Sequence, residues 1–172
     1  MSHWDYRDAT GMRVLRPADT TYVSGLQAWI DAIPAADRGL LVEIGSYRGE
    51  SAVMFAPHFR EVICIDPWVD LEREHADFVA RTAGFVNVSA RRQLSIEAAK
   101  EFVDVSVDVV YIDANHQWRG VVSDILAWRP KVRPGGWIGG HDYSEPCAVV
   151  KAVDHYFPGA QIFEDTSWLA QI

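Results

Sequence analysis

The sequence predicts a doubly wound α/β domain on a mostly parallel, seven-stranded sheet. Short apolar runs alternate with segments of helical period from Leu40 onward, the pattern of parallel strands with crossover helices on both faces. Two of the runs break directly into glycine or polar turns, at Ile44-Gly45 and Ile112-Asp113, so their carboxyl ends open on one edge of the sheet. Size agrees: 172 residues without an internal repeat or linker make one domain spanning 1–172, large enough to bury roughly two-thirds of its unfolded surface.

Residues 1–17 contain Trp4, Tyr6 and Arg13 without periodicity and are read as an arm or a flap over the binding edge. Tyr22, Val23, Leu26, Trp29, Ile30 and Ile33 share a helical face that Pro34 ends. Parallel strands are expected at 40–44, 62–65, 86–89, 107–112 and 137–140. Between them, Leu71, His75, Phe78, Val79 and Thr82 mark one single-faced helix. Val121, Val122, Ile125 and Leu126 mark another, with Asp124 on its solvated side. Ser95 reads as the N-cap of a helix through Ile96 and Phe102. A last helix over 145–157 stops at Pro158-Gly159, and 161–163 with 167–172 form an antiparallel hairpin around Glu164-Asp165-Thr166, joined to the sheet edge.

Composition excludes several function classes. Asp and Glu number 24 against 16 Lys and Arg, and a net charge of -8 opposes attraction to nucleic acid or an anionic membrane. No apolar stretch approaches the roughly 20 residues of a membrane span, and residues 1–13 carry charges where a signal peptide would be apolar, so a cytoplasmic protein is expected. Cys64 and Cys147 lack metal-ligand spacing and read as buried thiols. The expected partner is a small molecule, with a homo-oligomer compatible.

The run Leu41-Val42-Glu43-Ile44-Gly45-Ser46-Tyr47-Arg48-Gly49-Glu50-Ser51 is a buried strand entering a glycine turn and a helix. Tyr47 and Glu50 stand where a dinucleotide fingerprint needs glycine, and Glu50 would set a carboxylate beside any phosphate at the helix N-terminus. NAD, FAD and ATP are therefore disfavoured. Acidic Glu43 and Glu50 match a cationic ligand without phosphate better. The run resembles the first motif of the class I S-adenosylmethionine-dependent methyltransferases, acidic-x-Gly-x-x-x-Gly-x-Ser, met by Glu43, Gly45, Gly49 and Ser51 with Ser46 inside the loop. The resemblance implies a Rossmann-like fold and S-adenosylmethionine as cofactor. It implies that Asp66, ending the next strand, accepts both ribose hydroxyls; Asp66 before Pro67 is equally a turn-starting residue. Trp68 packs either along the adenine or in the core, and Gln93 and Ser95 match the family's adenine region.

Two further strands end in acids and imidazoles, at Asp113-Ala114-Asn115-His116 and at His141-Asp142. These segments resemble the branch containing sugar and macrolide O-methyltransferases and a cephalosporin-hydroxylase-like enzyme. That resemblance implies a divalent metal, Mg or Mn, on Asp113, His141 and Asp142, Asp113 also at the cofactor, and His116 as general base toward a small-molecule hydroxyl. Imidazole is a poor partner for magnesium, which makes His141 either a neighbour of the ligands or a sign of a transition ion. The rival readings on this scaffold are transfer to another atom, a different use of the sulfonium, and a non-catalytic binding module.

Overall fold

A computed structural model describes residues 20–144 and 148–172, with side chains from residue 23 onward; the expected N-terminal arm, Tyr22 and Cys147 lie outside what it describes. Seven strands, β1 (Leu40–Ile44), β2 (Glu61–Asp66), β3 (Val88–Arg92), β4 (Val107–Ile112), β5 (Val132–Gly140), β6 (Gln161–Ile162) and β7 (Trp168–Gln171), form one sheet in the order β3-β2-β1-β4-β5-β7-β6. β1 to β5 pair in parallel, while β7 pairs antiparallel to both β5 and β6. The chain winds outward both ways from β1 and β4, which makes their junction the switch point where such sheets bind ligands.

Alternation along each strand divides the core in two. Val42, Ile44, Ile65, Val110, Ile112 and Ile138 face one way, against α4 (Ser95–Ala99), α5 (Trp118–Trp128) and α6 (Ala148–Tyr156). Leu41, Val62, Cys64, Val109 and Tyr111 face the other, against α1 (Thr20–Ala32), α2 (Glu50–Phe55) and α3 (Glu72–Thr82). Leu26, Trp29, Ile30 and Ile33 bury the face expected of α1, whereas Val23 is exposed. No helix among the described residues is long and apolar enough to cross a membrane.

The strand expected at 86–89 is displaced to Val88–Arg92, and Val86 is exposed. β3 is an edge strand whose one neighbour, β2, sets its register, so Arg91 and Arg92 pair where the apolar pattern points elsewhere. β5 begins at Val132 and runs through Pro134-Gly135-Gly136, a run that reads as a turn. Gly136 passes so close to Asp108 that a Cβ would lie 2.7 Å from its carbonyl oxygen. α4 stops at Ala99, short of Phe102. On α3, Val79 is exposed and Arg81 is buried in its place, donating to the carbonyl of Arg48 at 2.6 Å. Asp124 is buried, not solvated.

The β5–β7 junction is packed closely against α1. Trp29 donates its indole N–H to the carbonyl of Trp168 at 2.9 Å, and a Cβ on Gly139 would lie 2.4 Å from that oxygen and 2.7 Å from Trp29 Nε1. Gly139→Ala should therefore cost about 1–3 kcal/mol through overpacking. Gly84→Ala, at a position with open space and ordinary φ, should be neutral or stabilising by up to about 1 kcal/mol. Urea melts of the two variants check this; equal midpoints would contradict the close packing at β5.

Candidate active site

Past the strand ends the ladder continues for one residue. Gly45 N–H donates to the Ile65 carbonyl at 2.8 Å, Asp113 N–H to Ile44 at 2.8 Å, His141 N–H to Ile112 at 3.1 Å and Gln93 N–H to Asp66 at 3.2 Å. Every loop at this edge thus leaves the sheet from a fixed point. A cavity of about 680 Å³ opens there, a size suited to a cofactor or drug-sized ligand. Gly45, Tyr47, Asp66 and Pro67 line it from β1 and β2, Leu94 to Ile96 from β3, and Asp113 to His116 from β4.

Gly45 has a φ of +89°, and a Cβ there would meet the Asp113 carbonyl oxygen at 2.2 Å. Only glycine fits. Gly49, with a φ of +77°, is the N-cap of α2 and lies against the Phe78 ring. Its lack of a side chain serves the α2–α3 packing and not the cavity. Glu43, Ser46 and Ser51 are buried beneath the loop: the Ser51 hydroxyl donates to Glu43, and burial pushes the Glu43 carboxyl up to about 7 against the opposing pull of Ser46, Ser51 and Cys64. Glu50 faces Arg81 at 3.9 Å. The expected match of Glu43 and Glu50 to a cationic ligand therefore lacks its physical basis, because neither carboxylate lines the cavity.

Asp66 joins two loops. One carboxyl oxygen accepts the Tyr47 N–H at 2.9 Å and the other the Trp68 N–H at 2.8 Å, so the turn-starting role is present. A carboxylate has further lone pairs, and Asp66 also lines the cavity, which leaves it able to accept from a ligand. Trp68 takes the core alternative. Its ring is fully buried, donates to the Tyr47 carbonyl at 2.6 Å and packs 5.1 Å from Phe78. Gln93 turns away, bonding Glu101 at 2.7 Å. Ser95 is not the N-cap, which is Leu94; its Oγ accepts the Trp128 indole N–H at 2.8 Å while it lines the cavity.

Asp113, His116, His141 and Asp142 do converge. His116 Nε2 lies 2.9 Å from Asp142 Oδ2 and 3.4 Å from Asp113 Oδ1, and His141 Nδ1 lies 3.1 Å from Asp142 Oδ1. Asp113, His141 and Asp142 each offer a ligand atom within 4.8 Å of the others, a set of two carboxylates and one imidazole that fits a divalent cation. Hydrogen bonds that the His116 ring donates to Asp113 and then to Asp142 raise its pKa to about 10, although half of the ring is exposed. His116 first, and then His141, hold the Asp142 carboxyl far below the ordinary range.

Asp124, expected on a solvated helix face, and Tyr47, Asn115 and Ser123, to which the sequence gives no role, all lie on the cavity wall. The signal for Asp124 was the i, i+3, i+4 spacing of Gly120, Ser123 and Asp124, which puts them on one helix face.

The charges of the cluster have a consequence for stability. A pKa raised from 6.5 to about 10 means that charged His116 stabilises the fold fully below pH 6.5, a contribution lost as pH rises toward 10. The lowered Asp142 contributes above its ordinary 3.8 and loses its effect only in stronger acid. Without metal, the melting temperature of the wild type should fall relative to that of His116→Gln between pH 6.5 and 10. Parallel curves would mean that the ring is not held charged.

The profile of a family described as a methyltransferase domain matches residues 42–143, from β1 through Asp142. No curated protein matches the chain in sequence. Solved structures share its fold. The YcgJ protein of Bacillus subtilis superposes with a TM-score of 0.57 at 19% identity, over 68% of this chain and 49% of its own. Phosphoethanolamine N-methyltransferase 1 of Haemonchus contortus, solved with phosphoethanolamine and S-adenosylhomocysteine, gives 0.60 at 20% over 74% and 27%. Spermidine synthase of Thermotoga maritima gives 0.65 at 13% over 94% and 63%. The chain thus spans about half the length of the first of these and about a quarter of the second. With more than half its length matched by that profile, on a sheet of this order, the chain belongs to the methyltransferase-domain family, of the class I, S-adenosylmethionine-dependent kind.

Proposed function

We propose that this protein transfers the methyl group of S-adenosylmethionine to a hydroxyl of a small molecule, with a divalent cation held by Asp113, Asp142 and His141 and with His116 as the base. The observation that carries this reading is the convergence of those four side chains beside the cavity at the carboxyl edge. Transfer to oxygen needs such a cluster more than transfer to a neutral amine, because a hydroxyl must lose its proton as the new bond forms.

Strand order supports this division of roles. Along the edge, Asp142 follows β5, Asp113 follows β4, Gly45 follows β1 and Asp66 follows β2. Asp66 would accept from the ribose, and the glycine turn would let the chain's backbone approach the cofactor at Gly45. When bound, the sulfonium supplies an electrophilic methyl group and the cation lowers the pKa of the acceptor hydroxyl. With that cofactor bound, the methyl group would pass from its sulfur to the acceptor oxygen, S-adenosylhomocysteine would leave, and His116 Nε2 would take the hydroxyl proton. That nitrogen must first be free of its own proton. Asp113 and Asp142 hold the proton there in the metal-free protein, and they cease to do so once their charge is spent on a cation. The two carboxylates thus have one partner at a time. His141, being imidazole, suits manganese or another transition ion better than magnesium.

Three expected outcomes follow from this assignment. Calorimetry should show binding of S-adenosylhomocysteine, weakened by about 1–3 kcal/mol in Asp66→Ala; absence of heat would remove the cofactor reading. Proton NMR of the His116 ring should give an apparent pKa near 10 in chelator, falling when Mg²⁺ is added; an unmoved titration would mean that no cation reaches Asp113 and Asp142. His116→Ala should lower kcat about 10²–10⁴-fold with S-adenosylhomocysteine affinity unchanged, and a variant retaining full turnover would assign the proton to another group.

A further inference from the structure

The imidazole of His141 has two unlike neighbours. Nδ1 lies 3.1 Å from Asp142 Oδ1, in the acidic cluster, whereas Nε2 lies 3.9 Å from Asp165 Oδ2, in the turn between β6 and β7. That second separation exceeds a hydrogen bond, so Asp165 acts on the ring through its charge. Both side chains are buried, 7% and 1% exposed, where a charge is screened least.

The turn is built to hold a side chain at that point. Asp165 Oδ1 accepts the Ser167 N–H at 3.1 Å and Oδ2 accepts the Ser167 hydroxyl at 2.8 Å. Since that hydroxyl spends its proton on Asp165, the Tyr111 hydroxyl of β4, 3.3 Å away, donates to Ser167 Oγ. From the other side α1 closes over the turn, and a Cβ on Gly25 would lie 2.4 Å from Asp165 Cγ. The backbone ties the same turn to the loop that carries His141, with the Tyr143 N–H donating to the Thr166 carbonyl at 2.9 Å. A turn of this kind needs only a side-chain oxygen, which uncharged asparagine supplies as well. An enclosed carboxylate costs free energy unless a cationic or polarised N–H faces it, and His141 is the group that does so here.

We infer that Asp165 is a positioning residue for the cation site: its carboxylate holds the N–H of His141 at Nε2, which leaves the lone pair of Nδ1 for a cation beside Asp142. The inference rests on the reading that Asp113, His141 and Asp142 bind a divalent cation. A ring with its proton at Nδ1 would donate to Asp142 and could not ligate from that side. Asp165 is outside the ligand set and acts only through His141.

The test uses the full chain at a single pH and two readouts. Calorimetry with Mn²⁺ should show binding to the wild type that weakens about 10–100-fold in Asp165→Asn, which keeps the shape of the side chain and removes its charge. Ser167→Ala removes a hydrogen bond from Asp165 but leaves the charge, and should lose less. An equal loss in both variants would assign the effect to packing of the hairpin and overturn the inference. Proton–nitrogen correlation NMR of the protein loaded with diamagnetic Zn²⁺ should place the His141 N–H at Nε2 in the wild type. An N–H at Nδ1 overturns the inference even if neither variant folds, and so does an unchanged Mn²⁺ affinity in folded Asp165→Asn. A wild type that binds neither ion refutes the cation reading and the inference with it, whereas binding accompanied by any of the contrary results refutes the inference alone.

Discussion

The approach of β1 to β4 at their carboxyl ends is the constraint from which the rest of the site is built. Gly45 passes so near the Asp113 carbonyl that no side chain fits between them, and the Asp113 N–H is in turn bonded to Ile44. Backbone hydrogen bonds of this kind are short and directional, so the two loops start in a single relative position. From that position β1 leads into the turn that Asp66 ties down from β2, and β4 leads directly to Asp113 and His116. Widening this junction would separate the glycine turn from the acidic cluster.

Charge is distributed at the edge so that no carboxylate of the cluster stands alone. His116 sits between Asp113 and Asp142, and His141 contacts Asp142 from the buried side. The two imidazoles differ in exposure, 50% for His116 against 7% for His141. An exposed ring can move and exchange protons with a bound molecule, whereas a buried one is confined to holding its neighbour. Beneath the loop, Glu43 has a different task. It is enclosed with Ser51 and Ser46 and joins the end of β1 to α2.

Much of this was legible in the sequence, for reasons that differ by element. β1 and β4 match their expected bounds because central parallel strands are apolar on both faces and end where the first glycine or acid appears. The convergence of Asp113, His116, His141 and Asp142 was legible for the same reason, since strand ends of one sheet share an edge. β3 slipped because an edge strand tolerates polar residues and takes its register from its neighbour. Asp124 was misread because α5 packs between α4 and α6 as well as on the sheet, so the buried arc is wider than a single stripe. Gln93 and Trp68 hinged on side-chain direction, which strand position alone does not determine. The acidic pattern of Glu43 and Glu50 identified a loop correctly but for a reason that burial of one and the Arg81 partner of the other remove.

Several residues of this edge carry a backbone that L-amino acids avoid, Tyr47, Trp68 and Asp142 among them. These three have φ values of 44°, 42° and 62°, each costing roughly 1–2 kcal/mol relative to an ordinary conformation. The sheet behind them bears no such load in β1 or β4. Local opening should consequently begin at the loops, with amide protons of the turns after β1, β2 and β5 exchanging with solvent well before those of the central strands. The molecule is thus an unstrained plate with a strained rim, and a ligand bridging the rim would hold those loops against local opening.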